Sequence, residues 1–222
     1  MRITPAEITA LTLTIKVALL SLIVMFPPGL FVGWLLAKRT FPGRTLLNTC
    51  VMLPLVLPPV VSGYLLLMLL SKHGFIGDFL FETFGIELVF TEFAVVIALS
   101  IISFPLLVRG IMTGMSAVPQ ELENVARTLG ASPLKVFFTV TLPLASRGIA
   151  GGVILGFSKS LGEFGATIMV AGNIPGKTQT MALAIFNAVQ LGDDASVYRL
   201  VFISTVVAFV ALWLSERALA KT

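Results

Sequence analysis

Five stretches of this chain are each long and apolar enough to cross a lipid bilayer, and nothing else in the sequence limits its fold as strongly. A helix needs about 20 mostly apolar residues to cover the hydrocarbon core. The qualifying stretches are residues 11–37, 46–70, 93–115, 148–171 and 197–219. Each is too long and continuous for a strand, and none alternates polar with apolar positions. The expected fold is an all-α, polytopic bundle of five transmembrane helices, forming one membrane domain over residues 1–222. Composition agrees. The chain is 57% hydrophobic and 12% charged, against about 45–50% and about 25% in soluble domains. Its mean hydropathy is +1.01. A soluble fold could not hide that much apolar surface, so a soluble enzyme is excluded. Pro27 and Pro28, Pro54, Pro58 and Pro59, and Pro105 interrupt three of the stretches. Neighbouring helices must then satisfy the carbonyls these prolines free, which suggests bent, bundled helices.

The net charge of +4 reads as topology rather than nucleic-acid binding, because the basic residues fall between apolar runs. One side collects Lys38, Arg39, Arg44, Arg127, Lys135, Arg147, Arg217 and Lys221. The other carries Asp78, Glu82, Glu87, Glu92, Asp193 and Asp194 against Lys72, Lys177 and Arg199. The first set is expected in the cytoplasm, with the N-terminus outside and the C-terminus inside; Arg2 and Lys16 run against the trend. The opening residues Met1–Ala10 lack the pattern of a cleaved signal and read as retained. His73 and Cys50 are the sole residues of their kinds, so no disulfide or metal site is expected. His73 reads as an outer loop residue and Cys50 as packing. Trp34 and Trp213 fit an interfacial belt.

The inner loop, residues 116–146, is patterned. Pro119 suits the first position of a helix, and Glu121 and Glu123 favour its first turn. Leu122, Val125, Ala126 and Leu129 form an apolar stripe, and Gly130 is placed to end the helix. Ser132 and Pro133 read as the cap and first residue of a second short helix, which carries Lys135, Val136, Phe137 and Phe138 and ends at Pro143. By physics alone this is either a helix pair resting on lipid or a docking knob for a cytosolic partner.

The run from Glu123 through Gly130-Ala-Ser-Pro to Thr141-Leu-Pro143 resembles the "EAA" loop of ABC importer permeases, whose pattern is E-A-A, three residues, Gly, then an apolar stretch ending in Leu-Pro. Alignment on Gly130 puts Ala126 at the second Ala, Val125 at the first and Asn124 at the Glu. The resemblance implies that the Glu contacts the ATP-binding subunit. Asn124 departs from it, and Glu123 next door is the expected substitute. It also implies that the helix after Gly130 seats in a cleft of that subunit, so Glu121, Glu123, Asn124, Ala126, Gly130, Ser132, Pro133, Lys135, Phe137 and Pro143 are the expected coupling residues.

In the fourth stretch, Gly148, Gly152, Gly156 and Ser160 recur every four residues, a spacing that lets helix backbones approach closely in lipid. The single pair Gly110 and Gly114 is weaker evidence of the same kind. Lys159 lies roughly 18 Å along this helix, near mid-membrane, with Glu163 four residues on. Either the two pair structurally or Lys159 attracts a passing anion. Lys159, Ser160, Glu163 and Thr167 are therefore candidate pathway residues, while Arg109 reads as snorkelling to the inner interface.

The run from Gly162 to Thr180, with Leu53-Pro-Leu-Val-Leu-Pro-Pro-Val-Val, is similar to the molybdate branch of the permease family. This implies a type I importer fold and a homodimer in a bacterial inner membrane. It implies two cytosolic ATPase subunits that use ATP and Mg, an external oxyanion-binding protein, and no cofactor on this chain. Tungstate and sulfate are close alternatives. An ATP-independent secondary transporter or channel is the competing class, but such a protein has no use for a structured inner loop. Residues 171–178 fit a relaxed phosphate-loop pattern, yet they follow a membrane helix rather than a strand, so a tight turn is expected, followed by a short outer helix around Met181–Val189. Residues 75–90 leave room for another interfacial helix.

Overall fold

The computed structural model describes residues 4–220, which are helical with short connections and contain no strand. Arg2 and Lys221, counted above for topology, lie outside the described residues. Helix α1 (Pro5–Lys38) opens on a reciprocal cap: Thr4 Oγ1 accepts from the Glu7 N–H at 3.3 Å, and the Glu7 carboxylate accepts from the Thr4 N–H at 2.7 Å. With 34 residues it is about 50 Å long. That exceeds a hydrocarbon core of about 30 Å, so α1 must tilt or project.

The second stretch is not one helix. It divides into α2 (Arg44–Val56) and α3 (Pro59–Leu70). Pro58 and Pro59 offer no N–H, and a residue before proline is driven out of the helical region; Leu57 and Pro58 are extended, with ψ of 141° and 132°. Helix α4 (Phe75–Phe84) then occupies part of the segment 75–90. Helix α5 (Glu92–Ser116) is the most buried of the long helices. After it come α6 (Gln120–Thr128), α7 (Pro133–Val136), a π-helical turn (Phe137–Thr141), α8 (Leu142–Leu144) and α9 (Ser146–Leu161). The predicted span 148–171 also breaks: α9 stops at Leu161, and α10 (Gly165–Ala171) restarts beyond Gly162, Glu163 and Phe164. Helices α11 (Met181–Leu191) and α12 (Asp194–Ala220) complete the chain.

Four segments of the described residues are long and apolar enough to span a membrane: Pro5–Lys38, Pro59–Phe84, Glu92–Ser116 and Asp194–Trp213. They become five when Pro133–Leu144 and Ser146–Leu161, bent by 70° between them, count as one broken span.

Helices α1 and α9 flank α5. Around Leu99 and Ile102 of α5 gather Leu13 and Val17 of α1, Leu66 of α3 and Val170 of α10. Nearer the inner loop, Leu107, Ile111 and Met115 of α5 meet Met25 and Ile149. The α5–α9 crossing is set by glycine: Gly110 faces Gly152 and Gly114 faces Gly148. A Cβ on Gly148 would fall 2.2 Å from the Gly114 Cα, and one on Gly110 would fall 2.3 Å from the Gly152 Cα. These obstacles are backbone, which cannot swing aside as a side chain can. Both sequence pairs are therefore two halves of one contact.

Because the obstruction is backbone, Gly148→Ala is expected to cost about 1–3 kcal/mol by overpacking and to lower the unfolding temperature in detergent. Gly151→Ala, whose Cβ would meet nothing within 4 Å, is the control. Equal behaviour of the two variants would contradict the crossing.

Candidate functional site

The segment of residues 116–146 is a helix–turn–helix built on Gly130. At φ +84° this glycine adopts the left-handed conformation that ends helices at low cost. Its N–H donates to the Arg127 carbonyl at 2.9 Å, and the Ala131 N–H donates to the Ala126 carbonyl at 3.1 Å. Ser132 caps α7, its hydroxyl accepting from the Lys135 N–H, and Pro133 is the first helical residue. Pro119 itself occupies the cap position of α6, one residue before the helix begins. Pro143 does not end the second helix as its sequence position suggests. Lacking an N–H for the Thr139 carbonyl, it is accommodated by widening the preceding turn to a π-helix, closed by the Leu142 N–H on the Phe137 carbonyl, and the helix continues to Leu144.

Glu121, Asn124 and Lys135 are exposed and Ala126 is half-buried. The Asn124 side-chain oxygen accepts from Arg127 at 3.3 Å. Glu123 departs from expectation: it is 3% exposed and turned inward, so it does not present its carboxylate to a partner. One carboxylate oxygen pairs with the Lys38 ammonium at 3.0 Å and accepts from the Thr141 hydroxyl at 2.8 Å. Lys38 also donates to the Val118 carbonyl at 2.9 Å. This node ties the end of α1 to the exit of α5, to α6 and to the π-turn. Lys38 entered the sequence reading only as a topology charge, and Thr141 only as part of a motif.

Phe137 likewise points back into the chain. Its ring meets Trp34 edge-on at a centroid distance of 6.1 Å. The apolar surface the loop presents outward comes instead from Leu122, Val125, Leu129 and Leu134, with Leu129 83% exposed.

At the α9–α10 break, the Lys159 ammonium lies 2.7 Å from the Glu163 carboxylate. Glu163 is 2% exposed, and its other oxygen accepts from the Ala166 N–H at 3.0 Å. The pair thus neutralises a buried charge and satisfies an amide freed by the break. Ser160 is buried, 2.8 Å from the Ser103 hydroxyl and 3.4 Å from that of Ser21. It joins α1, α5 and α9. Thr167 is fully buried, without a hydrogen-bond partner for its hydroxyl. Gly156 faces Met25 and Leu107. Arg109 is exposed. In the turn before α11, the N–H groups of Lys177, Thr178 and Gln179 converge on the Ile174 carbonyl, so they are not aimed at a phosphate.

A helix–glycine turn–helix carried between α5 and a glycine-lined α9 is the arrangement the family comparison decides. Residues 29–220 match the family described as "Binding-protein-dependent transport system inner membrane component". The chain belongs to this family. It is a permease subunit of the inner membrane, with ATP hydrolysis residing in separate subunits of such systems. Among curated relatives, it is 46% identical to the molybdenum transport system permease protein of Escherichia coli over 97% of this chain and 95% of that protein. It is 39% identical to the sulfate transport system permease protein of Salmonella typhimurium over 85% of this chain and 68% of that protein. Among solved structures, a bacterial ABC transporter for alginate import superposes with a TM-score of 0.78 over 99% of this chain and 80% of that one. At 16% identity it speaks to the permease fold alone.

Removing one partner of a buried ion pair costs about 3–5 kcal/mol, whereas replacing both by apolar residues is often neutral. Glu123→Leu and Lys38→Met are therefore each expected to lower the permease's unfolding temperature in detergent, and the double variant Lys38→Met, Glu123→Leu to recover most of the loss. Additive losses in that double-mutant cycle would show that the two residues do not interact.

Proposed function

We propose that this permease imports molybdate, working as a homodimer with two cytosolic ATP-binding subunits and an external oxyanion-binding protein. The observation that carries this reading is the near full-length 46% identity to a molybdenum permease, which exceeds the 39% over a shorter span to a sulfate permease. The N-terminus lies outside and the loop of residues 116–146 lies in the cytosol, as the distribution of Lys and Arg favours.

Movement of the ATPases reaches the bundle through the loop. Val125 and Leu129 supply apolar contact on the partner. Gly130 fixes the angle between α6 and α7, and the Lys38–Glu123 pair fastens α6 to α1. A displacement at Leu129 is thereby delivered to α1 and α5, switching the bundle between inward-open and outward-open forms.

In cells lacking their own molybdate importer, expression of the permease with its partner subunits is expected to restore molybdenum accumulation, measured by elemental mass spectrometry. Excess sulfate should compete weakly; equal competition would favour the sulfate reading. Leu129→Asp is expected to reduce substrate-stimulated ATP hydrolysis by at least about tenfold, the scale of losing an interface anchor worth about 2 kcal/mol, while the permease still reaches the membrane. Unchanged coupling in that variant would remove the docking role from the Gly130 turn.

A further inference from the structure

Beside the docking loop, a cavity of about 330 Å³ opens between α1 and the α7–π-turn segment. Its walls are apolar and largely aromatic: Phe31 and Trp34 from α1, and Leu134, Phe137 and Phe138 from the loop, with Arg39 at one end. Phe31 and Phe138 are each 60% exposed and Leu134 is 72% exposed, so this chain leaves the groove uncovered. The cations of this end of α1 are otherwise engaged. Lys38 is held by Glu123 and the Val118 carbonyl, and Arg44 by the Leu36 carbonyl at 2.7 Å. The Arg39 guanidinium lies 5.4 Å from the Trp34 ring centroid and makes no ion pair among the described residues.

We infer that this groove binds an anionic phospholipid of the inner leaflet, with its phosphate on Arg39 and an acyl chain along Phe31, Trp34 and Phe138. The occupant follows from depth. From Arg39, just past the end of α1, the lining reaches back to Phe31, eight residues or about 12 Å along the axis, and so lies inside the apolar stretch 11–37. A soluble partner cannot follow it there. A molecule with a charged head at the interface and an apolar tail below can. Basic pockets beside membrane helices on the cytoplasmic side recognise acidic lipid headgroups by the same chemistry. The lipid would bridge α1 and the π-turn, holding the loop against the bundle as the Lys38–Glu123 pair does. Only this consequence for coupling rests on the docking role proposed above; the binding itself does not.

The chain carries two tryptophans, so a Trp213→Phe variant reconstituted in vesicles reports on Trp34 alone. Phosphatidylglycerol with brominated acyl chains is expected to quench its fluorescence at about fivefold lower mole fraction than brominated phosphatidylcholine, the scale of one basic residue at an anionic surface. Arg39→Gln should abolish the difference and Arg39→Lys should retain it, while Leu129→Asp, which tests docking, leaves it unchanged. Equal quenching by the two lipids overturns the inference, as does a preference that survives Arg39→Gln or is displaced by millimolar inorganic phosphate. No quenching by either lipid, with the groove shielded by a second copy of the chain, overturns it too.

Discussion

A backbone N–H or C=O in hydrocarbon has no water to bond, so each must find its partner within the protein. That requirement bears on the breaks within the apolar stretches. Where Pro58 and Pro59 break the second stretch, the chain restarts at once as α3, and the α3 backbone lies against α10, with a Cβ on Gly63 falling 2.7 Å from the Ala166 Cα. Where α9 stops at Leu161, Glu163 receives the Ala166 amide. The helix ends are handled in the same way, by Thr4 and Glu7 on α1 and by Thr91 on α5.

Two of the buried carboxylates among the described residues obey a related rule. Glu123 and Glu163 are each almost fully buried, each pairs with a lysine, and each accepts a second hydrogen bond from a neighbouring turn. An unpaired charge at either place would cost several kcal/mol. Both occur where a helix changes direction, so each charge pair fixes an angle between segments. In a transporter that switches between two packings, such angles are what a moving partner must transmit.

Several elements were legible because they depend on local chemistry. The glycine turn at 130 and the Ser132-Pro133 start of α7 follow from left-handed geometry and capping, which a few adjacent residues decide. The apolar stretches needed only length and composition. The orientation of side chains was not legible. The family resemblance placed Glu123 beside the contact position, but its inward turn depends on Lys38, 85 residues earlier in the chain. Phe137 read as a docking anchor until Trp34 supplied the surface it packs on. Nor did any local pattern show that Ser21 and Ser103 converge on Ser160 from two other helices.

The amino-acid sequence by itself determined that this chain lives in lipid as helices, where the inner loop turns, and which family it resembles. Hydropathy, capping and proline act over a turn or two of helix and need no tertiary partner. Only the folded structure decided where the second and fourth stretches break, that Gly110 and Gly114 meet Gly148 and Gly152 backbone to backbone, and which charged residues lock the loop rather than face its partner. Those outcomes depend on what each segment meets across the bundle, and contact between residues far apart in the chain leaves no mark on local pattern.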